Sequence, residues 1–83
     1  MKAKTATFDL TVNGTTISVI ATPYQTATSE KRYRVSINGS PVHIFALNQN
    51  LQRFTDIDRG VLSSEIPEPF EKAIGEELYS IAA

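Results

Sequence analysis

The 83-residue chain has no cysteine. That excludes a disulfide framework, a thiolate nucleophile and a cysteine-ligated zinc site, and the simplest expectation is a reducing, cytoplasmic environment. Long apolar runs are missing too: the longest is Ile44–Phe45–Ala46–Leu47, far short of the ~20 residues a transmembrane helix needs. Lys2 and Lys4 could open a secretory signal, but Thr5, Thr7, Asp9, Thr11 and Asn13 interrupt any apolar stretch behind them. A single histidine leaves transition metals without their usual ligands. With 41% hydrophobic and 20% charged residues, the chain reads as one small globular domain over residues 1–83.

A large net charge is also lacking, since the formal value is −1. Its distribution is uneven. Residues 1–53 hold six Lys and Arg against two acids, net +4, whereas residues 54–83 hold two against seven, net −5. Such a split means either a basic face opposite an acidic one or two oppositely charged elements lying side by side. The second is the plainer expectation.

The first half carries β-hairpin chemistry. Residues 9–20 and 34–45 echo each other at an offset of 25, each alternating apolar and polar residues around an Asn-Gly. That dipeptide favours a type I′ turn, because both central residues need positive φ. Two residues in the turn then set the register. In the first hairpin Val12 should face Thr15, Leu10 should face Ile17 and Phe8 should face Val19. In the second Ile37 should face Ser40, Val35 should face Val42, Arg34 should face His43, and Arg32 should face Phe45. Two copies are too few for a stacked repeat fold.

Pro23 is expected to end the second strand, because it cannot donate to a ladder, and the polar stretch to Glu30 should be a loop. It lacks glycine, so it matches no phosphate-binding loop. Asn48–Gln49–Asn50 reads as a turn, Leu51–Asp56 as a short fifth strand, and Asp58–Arg59–Gly60 as a closing turn. After that the period changes. Phe70, Ile74, Leu78 and Ile81 form one stripe of an amphipathic helix, with Pro67 and Pro69 suited to its first turn. Gly75 costs ~1 kcal/mol inside a helix and points to a close approach to the sheet. The fold class is therefore α+β, an antiparallel β-meander of four to five strands with one C-terminal amphipathic helix packed on one face. Phe8, Leu10, Val12, Ile17, Val19, Tyr33, Val35, Ile37, Val42, Ile44, Phe70, Ile74, Leu78 and Ile81 are the expected core.

Catalytic constellations are incomplete. His43 falls on the outer sheet face, where Asp9 and Ser18 share its side, but no nucleophile elbow or glycine-lined oxyanion hole accompanies them. Asp56–Ile57–Asp58–Arg59–Gly60 fails the EF-hand spacing, because Gly60 stands where the third ligand belongs. Glu68, Glu71, Glu76 and Glu77 form a solvated helix face. The expectation is no enzyme, no cofactor and no metal.

The outer sheet face is the more informative surface. In the expected register it carries Ile20, Arg32, Arg34, His43, Phe45 and Leu47, an apolar patch rimmed by arginines of the kind enriched in interface hot spots. This points to a small interaction or self-associating module that uses the outer face or the first-strand edge. The partner would be a second copy or another protein, with no membrane involved. The alternative is an anion- or nucleic-acid-binding domain using Lys31, Arg32, Arg34 and Arg53. A chain pI near 5.7 weighs against the nucleic-acid version.

Overall fold

The computed structural model describes residues 5–39, 42–57 and 66–82. Five strands follow one another: β1 (Ala6–Val12), β2 (Thr15–Gln25), β3 (Lys31–Ile37), β4 (His43–Asn48) and β5 (Arg53–Asp56). They form one antiparallel sheet in the order β1-β2-β3-β4-β5. The helix α1 (Glu68–Ala82) completes an α+β fold. It packs mainly along β5 and also reaches β1. Because those two strands are the opposite edges of the sheet, contact with both requires the sheet to curl around the helix. The turn expected at Asp58–Arg59–Gly60 lies outside the described residues.

The first hairpin has the expected register, Val12↔Thr15, Leu10↔Ile17 and Phe8↔Val19. Asn13 and Gly14 hold φ of 51° and 81°, the double positive-φ turn that this dipeptide allows. β2 does not stop at Pro23 as expected, and Pro23 pairs with Tyr33. The reason lies in the alternation of the ladder. Asn38 N–H donates to the Ser18 carbonyl, so the even residues of β2 bond β3 and the odd ones point the other way. The missing N–H of Pro23 therefore faces the β1 side, beyond the terminal β1–β2 pair at Ala6↔Ala21.

The second hairpin corrects the expected register by one residue. Val35 pairs with His43, Arg34 with Ile44, Tyr33 with Phe45 and Arg32 with Ala46. A one-residue slip moves every side chain of a strand to the other face. His43 and Phe45 are consequently inside, 2% and 0% exposed, while Val42 is 48% exposed and Ile44 lies on the outer face beside Arg34. The expected Ile37↔Ser40 pair lies outside the described residues. Asn38 and Gly39 still hold positive φ, 50° and 76°, so the local turn chemistry is as the dipeptide dictates. The register is decided elsewhere, by what flanks the turn and by what the slip buries. Asn38 Oδ1 accepts the Ser18 N–H at 2.8 Å, clamping the end of β3 to β2. The slip also seats Phe45 opposite Tyr33, whose ring meets Phe54 of β5 edge-on at 5.1 Å. Burying a phenylalanine side chain is worth about 1.5–3 kcal/mol, and edge-to-face aromatic pairs add about 0.5–1.5 kcal/mol.

The helix begins where Pro67 offers its carbonyl to the Phe70 and Glu71 amides. Its inner side presents Ile74 and Leu78 to a core of Ile17, Val19, Ala21, Tyr33, Val35, Phe45 and Phe54, with Phe8, Leu10, Ile37 and Phe70 packed around it. Ile81, expected in that core, is exposed. Gly75 explains the difference. It abuts the Phe54 backbone so closely that a Cβ there would overlap the Phe54 carbonyl oxygen. At about 100° per residue, drawing the Gly75 side onto β5 rolls Ile81 outward and brings Ala82 in.

Candidate outer-face interface

Side chains on the sheet face opposite the helix follow from the register. β2 contributes Ile20, Thr22 and Tyr24; β3 contributes Arg32, Arg34 and Ser36. β4 contributes Ile44, Ala46 and Asn48, and β5 contributes Arg53 and Thr55. Of the expected surface, Ile20, Arg32 and Arg34 are on this face. His43, Phe45 and Leu47 are on the helix face, so the expected apolar centre of the patch is not there. Leu47 is partly exposed at the strand end. Lys31 pairs with Gln25 at the exposed start of β3, on the helix-side parity.

Arg32 and Arg53 lie on the strands either side of the small Ala46. Arg32 is directly opposite Ala46, Ala46 is opposite Thr55, and Arg53 precedes Thr55 by two residues on β5. Arg34 lies over the Tyr24 ring, its Cζ 4.5 Å from the centroid, a cation–π stack worth ~0.5–1 kcal/mol at an exposed site. Arg32 reaches Glu30 only at 3.7 Å. Arg32 Nε and Arg53 Nη1 are shielded from solvent without a hydrogen-bond partner. Asp9, the other acid on this face, receives the Ser18 hydroxyl proton at 3.0 Å.

Two described acids of the second half sit elsewhere. Glu68 and Glu76 are exposed on α1, across the sheet from the arginines. Among the described residues, three arginines of the first half and these two glutamates therefore lie on opposite faces of the sheet. Tyr24 and Ile44 are the site residues that sequence reasoning missed, the first because β2 was expected to end at Pro23, the second because the expected register put it in the core. The signal for Tyr24 was the alternation Ile20, Thr22, Tyr24 carried through the proline.

The single histidine has a different setting from the expected surface one. Its Nδ1 lies 3.4 Å from Asp56 Oδ2, with side chains 3% and 13% exposed, and makes no hydrogen bond. The Asp56 amide in turn donates to Glu71 Oε2 at 2.9 Å. This chain of contacts ties β4, β5 and α1 together, and the imidazole offers almost no surface to a substrate. Among the described residues no His, Asp and Glu group is arranged to hold a metal ion, and no helix is long and apolar enough to cross a membrane. No family model matches the chain, and neither a curated protein nor a solved structure resembles it.

Proposed function

We propose that the protein is a small interaction module whose outer sheet face binds an acidic protein surface. The observation that carries this reading is the segregation of charge: Arg32, Arg34 and Arg53 share one face with Tyr24, Ile20 and Ile44, while the exposed glutamates of α1 lie on the other. Arginine and tyrosine are the residues over-represented in interface hot spots. Their guanidinium forks pair with carboxylates bidentately, and Arg34 is exposed on this face. Aliphatic neighbours supply the apolar area that charge pairing alone lacks.

The test is cross-linked capture of partners by the wild type and by an Arg32→Glu/Arg34→Glu variant, with Lys72→Ala, exposed on α1, as a surface control. Partners lost with the double reversal and kept by the control support the reading. A partner set unchanged by the reversal refutes it. A single-stranded oligonucleotide supplies the rival outcome. Binding that falls steeply with salt, in proportion to the phosphates neutralised, would assign the arginines to nucleic acid instead.

A further inference from the structure

The two edges of the sheet are treated differently. The β5 edge is closed by α1. Ile57 N–H donates to the Ile44 carbonyl, so the alternation turns the Asp56 amide and the Phe54 backbone outward. There the Glu71 carboxylate accepts the Asp56 N–H and the Gly75 backbone covers the Phe54 carbonyl. No added strand can reach these groups.

The β1 edge has no such cover among the described residues. The two-residue turn makes Val12↔Thr15 the closing hydrogen-bonded pair, and alternation then gives β2 the amides of Leu10, Phe8 and Ala6. The amides and carbonyls of Thr7, Asp9 and Thr11 point away from the sheet. Proteins usually blunt such an edge with lysine, proline or a bulge. Over Ala6–Val12 there is no lysine, arginine or proline, and the one charge, Asp9, is occupied by its own Ser18. Because α1 is centred on β5, the helix-facing side chains Ala6, Phe8, Leu10 and Val12 are only half-buried. Among the described residues the strand is therefore an open row of hydrogen-bonding groups beside an incompletely covered apolar strip.

We propose that the β1 edge is a dimer interface, at which a second copy of this chain adds its own β1 in antiparallel, two-fold fashion. The pattern of the strand is its own complement. Such pairing sets apolar helix-side residues against apolar ones and outer-face threonines against polar residues. An axis at Asp9 would place two carboxylates directly opposite, which is unfavourable. An axis one residue earlier, at Phe8, sets Phe8 against its symmetry mate, Thr7 against Asp9, Ala6 against Leu10 and Thr5 against Thr11. The two sheets then run on as one. This surface is separate from the outer-face arginines, and the proposal stands or falls without them.

Sedimentation equilibrium of the full chain from micromolar to millimolar concentration tests it. The mass should rise from 9.1 kDa toward twice that value. In the same samples, hydrogen exchange should slow at Thr7, Asp9 and Thr11 as the dimer fills, while the Phe8 and Leu10 amides, already bonded to β2, stay protected throughout. Asp9→Pro and Thr7→Pro each remove one outward amide at an edge position where proline is tolerated, and both should remain monomeric at every concentration. Should both variants unfold, the exchange pattern of the wild type decides alone. Arg34→Glu should leave the mass unchanged. A wild type that stays at 9.1 kDa at millimolar concentration overturns the proposal. So does a dimer whose three outward amides exchange as fast as in the monomer, and so does one dissociated by Arg34→Glu but not by the prolines.

Discussion

Replacing Gly75 by alanine sets two rules against each other. In an exposed helix interior the change stabilises by ~1 kcal/mol, because glycine has more backbone freedom to lose. Here the new Cβ would overlap the Phe54 carbonyl oxygen. The obstacle is backbone held in the sheet through the β4–β5 pairs, so no rotamer change relieves it. The helix has to lift or roll, and overpacking of this kind costs ~1–3 kcal/mol. Lifting also stretches the Glu71–Asp56 contact of 2.9 Å, and a hydrogen bond to a charged group contributes ~1.5–3 kcal/mol, of which a partial displacement forfeits a part. The opposing terms leave a net loss of about 2 kcal/mol. For a domain of 60–100 residues that corresponds to a fall in Tm of roughly 8–16 °C, read by thermal melting under circular dichroism. Lys72→Ala, exposed on the same helix, is the control and should stay within about 0.5 kcal/mol of wild type. A Gly75→Ala protein that melts at or above the wild type would refute the reasoning, because the helix would then have room that the close approach denies it.

Three further outcomes follow from the register and the core. Phe45→Ala should cost ~3–5 kcal/mol in urea unfolding, whereas Val42→Asp should stay within about 0.5 kcal/mol; the register set by a two-residue turn demands the reverse order. Burial raises the Tyr33 hydroxyl above its ordinary pKa of 10.0, so the fold favours the neutral phenol. That contribution is whole below pH ~10 and is lost as pH rises through the raised folded value, so Tyr33→Phe should flatten the alkaline arm of a stability–pH curve and leave the neutral region little changed. Asn38→Ala removes the acceptor of the Ser18 amide and puts alanine at φ 50°; a loss of about 1–3 kcal/mol is expected, and Asn38→Gly should recover only the backbone share.

The first hairpin was legible in the sequence because β1 has one neighbour and Asn13–Gly14 alone sets its register. The second was not, although its dipeptide adopts the same conformation. The run Val42–His43–Ile44–Phe45–Ala46–Leu47 is apolar on both parities, so alternation cannot say which side faces in. That choice depends on partners distant in sequence: Ser18, which holds Asn38 from β2, and Phe54, which meets Tyr33 from β5. The helix stripe was legible as far as Leu78. Its last turn depended on how closely Gly75 approaches β5, which shows up in the sequence as a glycine in a helix and not as a direction of roll. Likewise the +4 and −5 halves could be counted, but that Arg32, Arg34 and Arg53 lie across the sheet from Glu68 and Glu76 needed the fold. Of the expected surface, Arg32, Arg34 and Ile20 lie on the outer face, whereas the slipped register puts His43, Phe45 and Leu47 on the helix side.

The edge and the outer face also bear on each other. Antiparallel pairing at β1 with matched parity keeps the two outer faces on the same side of the joined sheet, because each outer-face residue meets another outer-face residue across the new pair. A dimer so formed presents Arg32, Arg34 and Arg53 twice on one continuous surface. A partner with two acidic patches at the right spacing then binds the second site at the effective concentration set by the first, a gain that reaches ~10²–10⁴ where geometry permits. Asp9→Pro leaves every arginine in place. It should nevertheless speed the release of a captured partner, and most of all at concentrations where the wild type is dimeric. At dilutions where the wild type is itself monomeric, the two proteins should release that partner at the same rate. Equal release at both concentrations would separate the two surfaces and leave the arginine face working as a single site.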